Sequence, residues 1–325
     1  MKPKRPRIVI TDWTFPDLSV EETILKSHDL ELSARQCKTE PDLISLCADA
    51  DAVITQFARV NANVVTAMQK ARAIVRYGIG VDNVDLEVAR ARGIPVCNVP
   101  DYCIDEVADQ TLAFILAATR QVVPHAIHLR AGHWGLATPL AGMKALRDLT
   151  VGVVGFGRIG REVVKRLMAF KCQVRVFDPI VPATDIEKHG AQAATFDEVL
   201  KQADVLTLHC PSTSQTRRLI NRDTLAKLKP GAILINVGRG DLVDSEALTA
   251  ALEGGHLGGA ALDVFDPEPI PAGHRLLSMP NVILAPHIAS CSVPAVTKLR
   301  ESAANLAVAA VLGQALPTIV NGVKR

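Results

Sequence analysis

The chain has 325 residues, enough for about two domains. Apolar residues make up 48% and charged residues 22%, and 36 Lys+Arg against 34 Asp+Glu leave a net charge of +2, which excludes a disordered chain and argues against the basic stripe of a nucleic-acid binder. With 8 Phe, 2 Tyr and 2 Trp, aromatics are too few for a base-stacking platform, and no apolar run approaches the ~18 residues of a membrane span.

The start, MKPKRPRIVITDW, carries Lys2, Lys4, Arg5 and Arg7 and reads as a solvated basic tail. Only 8–10 follow as an apolar stretch, so no signal peptide is expected. Strand-like runs then fall at 7–11, 29–34, 52–55, 73–76 and 94–98, with helix-like stretches near 20–27, 42–48, 62–69 and 86–92. This β-α-β alternation predicts a parallel sheet covered on both faces. A long helix is expected over 103–121, with Asp105 and Glu106 in its first turn, and a loop over 131–141. The alternation then restarts. Strands are expected at 150–154, 173–177, 205–209, 232–237, 260–264 and 282–285, and helices at 159–170, 196–201, 222–228 and 245–253. An Ala-rich helix near 296–312 closes the chain. The prediction is therefore α/β, two doubly wound parallel-sheet domains.

Seven cysteines, Cys37, Cys47, Cys97, Cys103, Cys172, Cys210 and Cys291, form no Cys-x-x-Cys pair. Reduced thiols in a cytoplasmic protein are the expectation, and no metal site is expected. His125, His128 and His133 lack acidic neighbours and read as structural or interface residues.

The strongest local motif is VGVVGFGRIGREVVKRL, which gives Gly155-x-Gly157-x-x-Gly160 between a strand and a helix. The first glycine permits the tight turn, the second a close approach of pyrophosphate, and the third close helix–strand packing. Asp178 ends the next strand, 18 residues on (178 − 160). A carboxylate there accepts hydrogen bonds from the adenosine ribose and repels a 2′-phosphate, so NAD is favoured over NADP.

Three further segments, INVGRGDLVD, ALDVFDPEP and LAPHIAS, each follow a predicted strand of the second unit. Ligands of open α/β sheets lie beyond the carboxyl ends of the strands. Taken singly, Arg239 fits a surface arginine, Glu268 a solvated acid and His287 a half-buried histidine. Together they supply hydride-transfer chemistry at a carbonyl next to a carboxylate. A guanidinium binds the carboxylate, an imidazole exchanges the hydroxyl proton, and a nearby acid orients that imidazole.

At these residues the chain resembles the D-isomer-specific 2-hydroxyacid dehydrogenases. The resemblance runs from RYGIGVDNVD through GFGRIG, FDP, HCP, INVGRG, DVFDPEP and APHIAS, while 1–72 matches only in its α/β pattern. GIPVCNVPDYCIDEVADQTLAFIL is most similar to the C-terminal-binding-protein branch, NAD-binding corepressors, and to phosphoglycerate dehydrogenase-like members. The resemblance implies a Rossmann NAD-binding domain (100–291) inserted in a smaller flavodoxin-like substrate domain (1–99 with 292–325), and a homodimer. It implies that Arg239 holds a 2-oxo acid, His287 is the general acid/base, and Glu268 pairs with His287. Arg76, Gly78, Ile79 and Gly80 are implied substrate contacts. Thr111, Arg158, Ile159, Cys210, Pro211, Thr216, Val237, Gly238, Asp263, His287 and Ser290 join Gly155, Gly157, Gly160 and Asp178 as implied cofactor contacts.

Departures narrow the reaction. Glu268 stands where the family's formate dehydrogenases carry Gln, which speaks against formate. Pro179 and Ile180 follow Asp178 where NADPH-using members place basic residues. Ser290 replaces the Trp of the corepressor branch. The expected activity is interconversion of a small D-2-hydroxy acid and its 2-oxo acid, without a nucleic-acid or membrane partner. The alternatives are an NAD(H)-binding sensor or scaffold with little turnover, and a two-domain nicotinamide enzyme acting on amino acids. The latter normally needs a lysine beside the substrate, and none lies in the three loops.

Overall fold

The computed structural model describes residues 5–324. In chain order its strands and principal helices are β1 (Arg7–Ile10), α1 (Ser19–Ser27), β2 (Glu31–Ala34), α2 (Glu40–Cys47), β3 (Ala52–Thr55), α3 (Ala62–Ala67), β4 (Ile74–Arg76), α4 (Leu86–Ala91) and β5 (Val96–Cys97). Next come α5 (Ile104–Thr119), α6 (Val122–Arg130), β6 (Thr150–Val154), α7 (Arg158–Ala169), β7 (Gln173–Phe177), α8 (Ala183–Glu187), β8 (Gln192–Ala193) and α9 (Phe196–Gln202). The chain finishes with β9 (Val205–Leu208), α10 (Arg222–Leu225), β10 (Ala232–Asn236), α11 (Ser245–Glu253), β11 (Leu257–Leu262), β12 (Val282–Leu284) and α12 (Val293–Leu312). Contacts divide it into two units, Met1–Tyr102 with Ser292–Arg325, and Cys103–Cys291.

In the first unit the sheet order is β2-β1-β3-β4-β5, the flavodoxin-like order. Every pairing is parallel. All four residues of β3 are buried, as strands covered on both faces must be. One face packs Ile8, Ile10, Ile54 and Val75 against Leu299, Ala303 and Ala307 of α12. The other packs Val9, Val53 and Ile74 against Leu43, Leu46, Val64 and Val65. Each fully buried side chain of this kind contributes roughly 1.5–3 kcal/mol. Local signals set the helix ends: the Ser292 hydroxyl accepts from Ala295 N at 3.1 Å, and α12 ends at Gly313 with φ 73°.

The second unit holds a seven-stranded parallel sheet, β12-β11-β10-β9-β6-β7-β8. Its direction of winding reverses between β6 and β9, the doubly wound Rossmann order. Leu206, Leu208, Leu234 and Leu262 form its core with Leu225 and Leu248. Among the described residues no single helix is long and apolar enough to cross a membrane; α5 and α6 pass only as a pair bent by 64°.

Four local features differ from the sequence expectation. The long helix ends at Thr119 because Gln121 adopts φ 52°. A further helix, α6, follows it, and none of its residues is buried. The short elements α8 and β8 lie in a stretch with too few residues to show a period. The basic start is only partly a tail: Arg7 opens β1, its backbone N–H donates to Asp51 at 2.8 Å and its guanidinium pairs with Asp49. Lys2 and Lys4 lie outside the described residues.

Candidate active site

The glycine turn sits at the point where the winding of the large sheet reverses. Gly155 follows β6 with φ 98°, and a β-carbon there lies 2.6 Å from the backbone of His209 and Cys210 at the end of β9. A β-carbon on Gly160 lies 3.1 Å from the carbonyl carbon of Gly155. The turn is therefore wedged against its neighbour strand. Gly157, in contrast, has nothing within 4 Å of where its β-carbon would be. It is the N-cap of α7, and no side chain caps that helix. An open, glycine-lined helix N-terminus is what a pyrophosphate requires: free N–H donors and the positive dipole end. Arg158 is exposed and Ile159 half-buried at the mouth of this turn.

Asp178, just beyond β7, is bound into the turn. Its Oδ2 accepts from Phe156 N at 2.7 Å, and its Oδ1 from Ile180 N and Val181 N at 2.8 and 3.0 Å. Burial works to raise its carboxyl, but these three donors and nearby Arg161 outweigh it and hold the group below its ordinary value. The carboxylate is thus ionised and fixed beside the glycine turn, as the adenosine ribose hydroxyls need. This chain's residues fit NAD.

The loops that carry Arg239, Glu268 and His287 follow three adjacent strands at one edge of the sheet. Asn236 of β10 pairs with Leu262 of β11, and Leu262 with Leu284 of β12. Asn236 is buried; its Nδ2 donates to Arg239 O at 2.7 Å and its Oδ1 accepts from Gly238 N at 3.0 Å, which shapes the turn that carries Arg239. Arg239 Nη1 donates to Gly238 O at 2.8 Å. Val237 is buried in the same turn.

Beyond β11, Asp263 is fully buried. Its carbonyl accepts from His287 N at 2.7 Å, and its carboxylate accepts from Ile288 N and Ala289 N at 2.9 and 2.8 Å. His287 has φ 53°, a left-handed conformation that non-glycine residues seldom adopt. The cost of such a conformation, roughly 1–3 kcal/mol, is met when surrounding bonds over-determine it, and Asp263 makes three such bonds. Glu268 Oε1 accepts from Phe265 N at 2.8 Å, and its Oε2 lies 2.8 Å from Nδ1 of His287. Burial works to raise the Glu268 carboxyl; His287, Phe265 N and Arg239 outweigh it and hold the group below its ordinary value. The acid–imidazole pair is therefore formed, with Arg239 close enough to act on it electrostatically.

The remaining second-unit residues divide. Thr111 is fully buried and spends its hydroxyl on Val107 O at 2.7 Å, within its own helix. Thr216 donates to Pro211 O at 2.6 Å and accepts from Thr213 N at 2.8 Å, so it shapes the loop after β9. Cys210 is half-buried there, and burial pushes its thiol up to about 11. Ser290 and Gly238 are half-buried. His125 bonds Gln121 O at 2.8 Å, and the His128 and His133 rings lie 5.0 Å apart.

In the first unit, Arg76 ends β4 and is buried, with its Cζ 5.8 Å from the Phe57 ring centroid. Gly78 O accepts from Val99 N at 3.0 Å, and Ile79 O accepts from Asn98 Nδ2 at 2.7 Å; Gly80 is half-buried. Asp12 holds the adjoining loop through Gln56 N, Phe57 N and Ala58 N at 3.0, 2.6 and 3.1 Å. Sequence reasoning missed Asp12, Asn236 and the supporting part of Asp263. The signal present for all three was a polar residue at the carboxyl end of a buried strand.

Fold and site together define a dinucleotide-binding α/β oxidoreductase. The family model for the D-isomer specific 2-hydroxyacid dehydrogenase NAD-binding domain matches residues 112–289. A glyoxylate reductase of Thermofilum pendens is 38% identical over 86% of this chain and 84% of its own. A D-3-phosphoglycerate dehydrogenase of Mycobacterium leprae is 37% identical over 86% of this chain, which spans only 52% of that longer protein. The D-lactate dehydrogenase of Aquifex aeolicus, solved with NAD and lactic acid, superposes with a TM-score of 0.88 at 27% identity, over 97% of this chain and 99% of that one. The chain belongs to the D-isomer-specific 2-hydroxyacid dehydrogenase family, and its class is the NAD-dependent oxidoreductases that interconvert 2-hydroxy and 2-oxo acids.

Proposed function

We propose that the protein reduces a small 2-oxo acid to the D-2-hydroxy acid, and catalyses the reverse, with His287 as general acid/base. The observation that carries this is the 2.8 Å contact of Glu268 with Nδ1 of His287, beside Arg239. Arg239 binds the substrate carboxylate and polarises the adjacent carbonyl. Glu268 fixes the ring through Nδ1, so Nε2, on the opposite side of the imidazole, exchanges the proton with the substrate oxygen. Asp263 holds His287 in its left-handed turn. NAD, when bound, is the two-electron partner at substrate C2. Gly155, Gly157, Arg158, Ile159 and Gly160 hold its pyrophosphate and Asp178 its adenosine ribose. Cys210, Pro211, Thr216, Val237, Gly238, Ser290 and Thr111 complete the wall. Arg76, Gly78, Ile79 and Gly80 are proposed substrate contacts.

An intact Arg239, Glu268 and His287 set favours turnover over an NAD(H) sensor, which needs no proton donor. A homodimer is part of the proposal. Val122, Ile127, Leu129, Trp134, Leu136 and Leu140 are exposed within one short segment, Trp134 at 92%, and patches of this kind mark interfaces. A cytoplasmic setting agrees with seven cysteines outside disulfides.

The test is NADH oxidation over glyoxylate, hydroxypyruvate, pyruvate, 2-oxobutyrate, phenylpyruvate, 2-oxoglutarate and 3-phosphohydroxypyruvate, with NADPH and His287→Ala as controls. Turnover that needs both NADH and His287 supports the assignment. Tight NADH binding without turnover on any acid overturns it in favour of the sensor.

A further inference from the structure

Asp178 is not the only carboxylate beside the ribose end of the glycine turn. Asp185, in α8, meets Arg161 of α7 with Oδ2 2.9 Å from Nη2, and its Oδ1 lies 3.9 Å from Nζ of Lys188. The Arg161 guanidinium lies 4.6 Å from the Phe156 ring centroid. The same Phe156 donates its backbone N–H to Asp178. The His189 ring packs edge-on against Phe156 at 5.3 Å, and its Nδ1 lies 2.8 Å from Asp185 O. Phe156 is therefore a platform with Asp178 bonded at its backbone and Arg161 stacked on its ring. Arg161, Lys188 and His189 surround the Asp185 carboxylate on that platform.

Ion pairs as exposed as this one (32% and 39%) add little to stability. The pair has a larger effect on the local field. A 2′-phosphate brings about two negative charges and is best held by a planar guanidinium. Arg161 is close enough to Asp178, the proposed ribose ligand, to act on it electrostatically, but one arm of its fork is engaged by Asp185.

We infer that Asp185 is a second determinant of cofactor choice: by pairing with Arg161 it masks a latent 2′-phosphate site whose first gatekeeper is Asp178. This rests on the proposal that the glycine turn and Asp178 bind the adenosine half of NAD. Asp178 repels the phosphate directly, whereas Asp185 withholds the cation that binds it. Removing Asp178 alone therefore leaves the site half-masked.

The experiment titrates NADH and NADPH separately into the full chain by fluorescence. The variants are wild type, Asp178→Ser, Asp178→Ser/Asp185→Asn, that double variant with Arg161→Gln, and Gly157→Val. Replacing Asp185 in the Asp178→Ser background should shift the ratio of NADPH to NADH dissociation constants toward NADPH by about three- to tenfold, and Arg161→Gln should cancel that gain. A ratio that stays within about twofold when Asp185 is replaced, or a gain that survives Arg161→Gln, overturns the inference. Gly157→Val tests the underlying site separately. It should lose NADH binding, and NADH affinity equal to wild type would overturn the glycine-turn proposal whatever Asp185 does.

Discussion

Arg76 and Gly78 occupy one volume: a β-carbon on Gly78 would fall 2.5 Å from the guanidinium carbon of Arg76. Gly78 also has φ 148°, which L side chains rarely adopt. The glycine is thus the reason the buried Arg76 guanidinium can fold back over its own loop, where Phe57, fixed by Asp12, supports it. If Arg76 binds a substrate carboxylate, Gly78→Ala should mimic Arg76→Ala. Both should raise KM for the 2-oxo acid by roughly 10–10²-fold, the value of a hydrogen bond to a charged group. NADH affinity should stay near wild type. Steady-state kinetics check it, and an Arg76→Ala enzyme with unchanged KM removes Arg76 from the site.

The Glu268–His287 pair predicts a graded loss. His287→Ala removes the proton donor and should cost about 10²–10⁴-fold in kcat with NAD affinity nearly kept. Glu268→Gln leaves the donor but removes the charge and one of the two acceptor oxygens, so its loss should be smaller, on the order of tenfold. The sign of the pH dependence follows from the lowered Glu268 carboxyl. Its ordinary value is 4.5 and the folded value is lower. The pair therefore contributes fully above about pH 4.5 and is lost as pH falls through the lower folded value. Acid-unfolding curves of wild type and Glu268→Gln should converge below that range and separate above it. Curves that stay parallel would contradict the pairing.

His209 adds to the same loss on acidification, for a different reason and over a higher pH range. Its ring bonds Thr207 Oγ1 at 2.9 Å beneath the glycine turn, and burial lowers it from 6.5 to about 3. Between those values the unfolded chain binds a proton that the native ring refuses, so stability falls as pH falls. The slope is at most about 1.4 kcal/mol per pH unit, and less because part of His209 keeps contact with solvent. Below about pH 3 the slope from this residue ends. Denaturant midpoints from pH 7 to 4 should drop steeply in wild type and more gently in His209→Asn. An equal drop in both would show that another group carries the acid sensitivity.

Thiol reactivity should separate the cysteines by burial. Burial pushes Cys47 up to about 12 and Cys210 up to about 11, and raises Cys37 and Cys172 as well. Cys97 and Cys103 are buried, whereas Cys291 is exposed. Since the thiolate is the reactive species, a disulfide reagent at pH 8 should label Cys291 first in the native protein. Cys291→Ser should abolish the fast phase. Persistence of that phase would place a reactive thiolate elsewhere.

Much of this site was legible because its chemistry depends on residue type at fixed spacing. The glycine turn, Asp178, Arg239 and His287 each follow a strand whose β-branched residues announce it, whereas Glu268 follows β11, LGGAAL, which has none. What supports them was less legible. Asp263 hydrogen-bonds the backbone of Ile288 and Ala289 in a different loop, and Asn236 that of Gly238 and Arg239 in its own turn, and no hydrophobic period records either. The helix α6 escaped notice for a different reason. Its apolar residues Val122, Ile127 and Leu129 are exposed, so no buried face imposes the spacing that reveals a helix. Thr111 is legible only through the family resemblance: its hydroxyl bonds Val107 O within its own helix, and nothing in the local pattern singles it out.

Gly240 links the Arg239 loop to the Glu268 loop. A β-carbon there would fall 2.5 Å from Cα of Phe265, and the same Phe265 donates its N–H to Glu268. The neighbour is backbone, which cannot swing aside as a flexible side chain does. Gly240→Ala must therefore push the turn carrying Arg239 away from the segment that positions Glu268. Reacting groups displaced by about 1 Å lose on the order of 10²-fold in rate. The expected phenotype is a fall in kcat/KM of that order, with NADH binding retained because the glycine turn after β6 is untouched. Thermal unfolding of the same sample distinguishes a displaced loop from an unfolded domain. A Gly240→Ala enzyme with wild-type kcat/KM would mean that Arg239 and Glu268 do not act from a shared, fixed geometry.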